Sequence, residues 1–112
     1  SNKNLSIIKP VDYISLVHLL SRSRIVLTDS GGIQEEAATL GCPTVVCRKT
    51  TERTEALDLG IAKISGYDED KVFEALDWAS NLNIDKSKWK NRPYGDGTAS
   101  KKICSILENY FF

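Results

Sequence analysis

Three features of the sequence predict an α/β fold built on a parallel sheet. Short apolar runs alternate with helix-patterned segments along the chain. The run Thr44-Val45-Val46-Cys47 is apolar or β-branched throughout, the pattern of a strand buried on both faces. The stretch TDSGGIQEEAATLGCP, residues 28–43, reads as a strand end, a tight glycine turn and a helix. Strand and helix alternating at this spacing imply right-handed βαβ units, with helices covering both faces of the sheet.

Taken in order, residues 5–8 form a brief strand candidate closed by Pro10. Asp12 is placed as an N-cap, and Tyr13, Leu16, Val17 and Leu20 follow at helical spacing. Ile25-Val26-Leu27 is a second strand, leading into Gly31 and Gly32. Residues 33–40 are helix-compatible, with Ala37 and Leu40 inward. Gly41 supplies a left-handed terminator, and Pro43 cannot continue the helix. Residues 44–47 are the third strand. A charged loop, 48–53, precedes a short helix, 55–59, stopped by Gly60. Residues 61–64 make a fourth strand, and Asp68 caps a helix carrying Val72, Ala75, Leu76 and Ala79 on one stripe. Residues 84–92 are polar and irregular. The turn Pro93-Tyr94-Gly95-Asp96-Gly97 introduces a last helix with Ile103, Ile106, Leu107 and Tyr110 on one face. Four strands make a small sheet for such continuous apolar sequence, so the chain is expected to be a piece of something larger. No internal repeat or flexible linker marks a second domain.

Composition narrows the function classes. At 112 residues and 41% hydrophobic content, the chain is one domain or part of one. Lys+Arg and Asp+Glu both number 15, so no global field favours nucleic acid or an anionic membrane. No apolar run approaches the ~20 residues that span a bilayer, and the amino end has no basic-then-apolar signal layout. Cys42, Cys47 and Cys104 form no CxxC and cannot all pair; reduced thiols in a cytosolic protein are expected. His18, mid-helix beside Leu19 and Leu20, lacks neighbours at ligand spacing, so no metal site is expected.

The glycine turn carries the chemistry. A helix opening there presents unpaired N–H groups and the positive end of its dipole, which attract anions and phosphate above all. Glycines let a ligand approach the backbone closely. Glu36 lies one turn inside, within reach of a group beside the phosphate. The sequence also allows a plainer reading, in which Ser30 is an N-cap and the glycines a connector. Arg48, Glu52 and Arg53, read alone, are a solvated charge cluster at the carboxyl edge of the third strand, the edge where open α/β sheets bind ligands.

The blocks DSGGIQEE, TTER and PYGDG, in that order, resemble the non-hydrolysing UDP-N-acetylglucosamine 2-epimerases, with similarity running from about residue 11 to the end. The resemblance implies the GT-B arrangement, two Rossmann-like domains facing each other across a cleft. On it, residues 1–112 are the carboxy-terminal portion of the second, nucleotide-binding domain, a partial Rossmann-like parallel sheet with flanking helices; the amino-terminal domain is absent from this chain. The resemblance assigns Ser30, Gly31 and Gly32 to the nucleotide diphosphate, Glu36 to the ribose hydroxyls and Arg53 to the diphosphate. A carboxylate accepts from two vicinal hydroxyls, and a guanidinium fork suits phosphate oxygens. Arg48 and Glu52 would support those contacts from the same loop. Leu16 falls where the family often has a phenylalanine near the uracil, and Thr54 where it commonly has proline. PYGDG is expected to dock the last helix, which in the family runs back toward the first domain.

The implied reaction interconverts UDP-N-acetylglucosamine and UDP-N-acetylmannosamine by elimination of UDP and re-addition. Its acid and base groups lie largely outside this chain, so no catalytic residue, metal or cofactor is expected within it. The expected partners are a UDP-sugar and a second copy of the chain, with no nucleic acid and no membrane span. The expected location is cytoplasmic. A GT-B glycosyltransferase, a hydrolysing 2-epimerase and a non-enzymatic doubly wound binding module remain as alternatives. TTER and PYGDG together argue against the first.

Overall fold

The computed structural model describes residues 3–111. The elements run α1 (Tyr13–Arg22), β1 (Val26–Thr28), α2 (Gly31–Thr39), β2 (Thr44–Val46), α3 (Glu55–Asp58), β3 (Ala62–Ile64), α4 (Glu69–Ser80) and α5 (Ala99–Phe111), with a single 3-10 turn at Lys86–Lys88. The three strands form one parallel sheet in the order β1-β2-β3. Leu27 stands opposite Val45, and Val45 opposite Lys63.

The central strand organises both faces. Successive side chains of a strand point to opposite sides. Val46 accordingly packs with Ala38, Ala56, Ile61 and Ala62, beneath α2 and α3. Val45 packs with Ala75 and Ala79 of α4 on the other side. All three residues of β2 are buried, as the unbroken apolar run requires. The core is made of small side chains, with Ile61 and the two valines the largest apolar ones fully enclosed.

The helix signals act where the sequence places them. Asp12 and Asp68 each accept from a backbone N–H three residues on, at 2.7 and 3.2 Å. These bonds satisfy donors that a helix start leaves open. Gly41 ends α2 at φ 73°, and Gly60 follows α3 at φ 81°.

Residues 5–8 are not a strand. Leu5, Ile7 and Ile8 are 67, 94 and 63% exposed and pair with no strand among the described residues. A strand's backbone bonds lie between chains of the sheet, so apolar sequence makes one only where a neighbour offers a ladder. The sheet therefore has three strands rather than four. The last helix also stands apart. Ile103, Ile106, Leu107 and Tyr110 are all exposed, and among the described residues none of α5 joins the core. These projections give extents of 61 × 28 × 27 Å and a radius of gyration of 16.6 Å. A compact domain of this length would have about 13 Å.

The irregular segment after α4 acts as a strap across helix ends. Lys86 Nζ donates to the carbonyls of Leu20 and Ser21 at 3.1 Å, and to that of Ser23, closing the end of α1. Trp89 Nε1 donates to Ala38 O at 2.8 Å and Arg92 to Thr39 O at 3.3 Å, at the end of α2. Both carbonyls belong to the last turn of α2, and a cation at that end also favours the dipole. Tyr94 of PYGDG reaches the start of α3, accepting from Ala56 N at 3.2 Å.

Candidate functional site

The candidate site is the shelf where β1 hands over to α2. Ser30 is in extended conformation, and its Oγ accepts from Ile33 N at 3.4 Å, so it caps the helix. Its own N–H is turned back to Thr28 Oγ1 at 3.0 Å. Gly32 is exposed and Gly31 half-exposed, leaving the first turn of α2 open to solvent.

Arg53 reaches this shelf from the loop after β2. A Cβ built on Gly31 would overlap the Arg53 guanidinium, so the two lie in direct contact and glycine is required for it. Arg53 Nε donates to Glu35 Oε1 at 3.1 Å. The Nη groups carry no hydrogen bond among the described residues, which leaves the outer fork free above a helix start. The Glu35 pair is partly exposed, 35 and 45% at the two side chains, and is worth ~0–1 kcal/mol. It serves as a tether more than as a source of stability.

Glu36 faces the other way. One residue along a helix is a turn of about 100°, so adjacent carboxylates diverge: Glu35 meets Arg53, and Glu36 accepts from Tyr13 OH of α1 at 2.8 Å. That bond holds the Tyr13 phenol above its usual value, with burial and the carboxylate's charge adding to the rise. The neutral phenol is the form the fold favours. Its contribution is present below the ordinary tyrosine pKa of about 10 and is lost as pH rises through the raised folded value. Difference spectra between the wild type and Tyr13→Phe should show a tyrosine titrating later than free tyrosine. Glu36→Gln should bring it back toward the ordinary value.

The remaining sequence-selected residues lie outside this group. Leu16 is half-buried on α1, which packs against α2. Glu52 is exposed. Arg48 takes Gly66 N–H on its carbonyl at 3.0 Å and lines, with Lys49, Ser65, Gly66 and Lys71, a separate basic concavity at the ends of β2 and β3. Neither Arg48 nor Glu52 bonds to Ser30, Glu36 or Arg53 among the described residues.

Sequence reasoning passed over four residues that build the shelf: Gln34, Glu35, Thr51 and Tyr94. Gln34 is 2% exposed; its Oε1 accepts from Thr51 Oγ1 at 3.1 Å, and its Nε2 has no partner among the described residues. An unpaired buried donor of this kind costs ~1–3 kcal/mol. The signal available in the sequence was the polar Gln34 between Ile33 and Ala37, on a helix flank that had to be covered. No group of three or more potential metal ligands occurs among the described residues, and no described helix is long and apolar enough to cross a membrane. Among the cysteines, Cys42 is buried, which pushes its thiol pKa up, and Cys104 is exposed on α5.

Residues 1–108 match the sequence profile of the family described as UDP-N-acetylglucosamine 2-epimerase. A Ralstonia nicotianae protein named "Probable UDP-N-acetylglucosamine 2-epimerase" is 42% identical over 113 residues, covering 96% of this chain and 29% of that protein. Among solved structures, Methanocaldococcus jannaschii UDP-GlcNAc 2-epimerase in complex with UDP-GlcNAc and UDP superposes with a TM-score of 0.85. It is 37% identical, over 97% of this chain and 29% of its own. The Neisseria meningitidis UDP-GlcNAc 2-epimerase bound to UDP-GlcNAc gives 0.77 at 39% identity, over 91% of this chain and 28% of its own. The chain thus spans under a third of the length of the relatives it matches.

Proposed function

Because the chain belongs to the UDP-N-acetylglucosamine 2-epimerase family, we propose that it holds the UDP half of a UDP-sugar. The observation that carries the reading is the Arg53 guanidinium lying against Gly31 at the open start of α2. A diphosphate seated there would meet the amides of Gly31 and Gly32, the positive end of the helix dipole and the free fork of Arg53. Glu36, one turn on, would accept the two ribose hydroxyls, and Leu16 would pack near the uracil.

In the whole protein this shelf serves the interconversion of UDP-N-acetylglucosamine and UDP-N-acetylmannosamine. UDP leaves by elimination, giving a 2-acetamidoglucal, and adds back on the other face. A site that retains the departing anion between the two steps lowers both barriers through fixed dipoles and a cation. The base that removes the proton at the sugar C2 belongs to other parts of the protein, and residues 1–112 form the carboxy-terminal portion of its second domain. The protein works in the cytoplasm, supplying a nucleotide sugar for polysaccharide synthesis. It self-associates, as the open sheet edges and the bare apolar face of α5 favour.

Titration calorimetry with UDP, UMP and uridine tests the site reading. Affinity should rise with each phosphate, because the phosphates engage the helix start and Arg53. Equal affinity for uridine and UDP would contradict it and favour a binding module of another kind.

A further inference from the structure

Arg53 sits in a loop with no regular structure, yet its main chain is held on both sides by hydroxyl groups. On one side Thr51 Oγ1 accepts from Arg53 N at 3.1 Å and donates to the buried Gln34 Oε1 at 3.1 Å. On the other, Tyr94 OH donates to Arg53 O at 3.3 Å and accepts from Ala56 N at 3.2 Å. Thr51 is thereby tied to α2 itself, and Tyr94 to the strap that closes the ends of α1 and α2. Burial raises the Tyr94 phenol above its usual value, so the group stays protonated and able to donate. Gln34 keeps one buried donor unpaired while its other atom holds this loop. Buried polar groups left incomplete call for a reason, and anchoring the loop supplies one.

We infer that Thr51 and Tyr94 are positioning residues for Arg53: they fix the backbone on either side of it, so that the guanidinium lies ready over Gly31 before any ligand arrives. The inference rests on the diphosphate role proposed for Arg53. A long, flexible arginine loses considerable rotamer freedom on binding an anion. Fixing its backbone and tethering Nε to Glu35 removes part of that loss in advance.

The test is a double-mutant cycle on UDP affinity, read by calorimetry with this chain. Thr51→Val and Tyr94→Phe keep the side-chain bulk and remove the hydroxyl. Each should weaken UDP about three- to tenfold, the size of one neutral hydrogen bond, and Thr51→Ser should restore affinity. In an Arg53→Ala background neither change should matter. Equal losses in both backgrounds, or no loss with Arg53 present, would overturn the inference. If Arg53→Ala itself leaves UDP affinity unchanged, the diphosphate reading falls and the inference with it. A ligand-free measurement separates the two. Thr51→Val should speed hydrogen exchange at the Arg53 amide without changing the amides of β2; unchanged exchange there refutes the brace whatever the ligand does.

Discussion

Replacing Arg53 with alanine is expected to lower UDP affinity about ten- to a hundredfold, with little change in folding. The estimate is one to two charge-assisted hydrogen bonds, ~1.5–3 kcal/mol. Stability should hold because the lost ion pair with Glu35 is partly exposed and weak. Gly31→Ala gives an independent route to the same end. Its Cβ would occupy the space of the guanidinium, which is flexible enough to swing aside. The helix start accepts alanine well. Affinity should therefore fall while the melt stays put. Calorimetry and thermal unfolding on the same samples would check both variants, and unchanged UDP affinity in either would count against the site.

The largest effect on folding is expected at Gly41→Ala. Two costs combine there. The residue has φ 73°, a conformation worth roughly 1–2 kcal/mol against any side chain with a Cβ. The new Cβ would also lie 2.6 Å from Trp89 Cγ and 2.9 Å from its Cβ. Trp89 cannot step back freely, because its Nε1 closes the end of α2 at Ala38 O and its ring packs on the core. Together these should cost ~2–4 kcal/mol, a large share of the ~5–15 kcal/mol that holds a domain of this size. Chemical denaturation measures it directly. A loss under ~0.5 kcal/mol would mean that the strap does not bear on α2.

The parts of the fold readable from sequence were those with local causes. Asp12, Ser30 and Asp68 cap helices through bonds spanning three residues, and Gly41 and Gly60 end them by adopting positive φ. The apolar run at β2 announced burial on both faces because both faces of a parallel strand are covered. The strand candidate at residues 5–8 failed because its ladder partner is not written in its own residues. Residues 84–92 are irregular, as the sequence reads them, but their bonds to the helix ends are not written there. Lys86, Trp89, Arg92 and Tyr94 look unrelated in sequence, and act together only once the helix ends they close are brought near. At the candidate site, the glycine turn was visible in the residues themselves, whereas Arg53 was singled out from its charged loop only by the family resemblance. The pairing of Arg53 with Glu35 rather than Glu36 was not visible, since it depends on which flank of α2 meets the loop.

The most direct test of the central claim, that the β1–α2 turn and Arg53 hold a nucleotide diphosphate, is a nitrogen-15 NMR titration of this chain with UDP and with uridine. UDP should move the amides of Gly31 and Gly32 and the Arg53 side-chain signal, whereas uridine should leave the two glycines in place. Glycine amides unmoved by UDP, with shifts instead at Arg48, Lys49, Gly66 and Lys71, would place the anion in the basic concavity at the ends of β2 and β3 and contradict the claim.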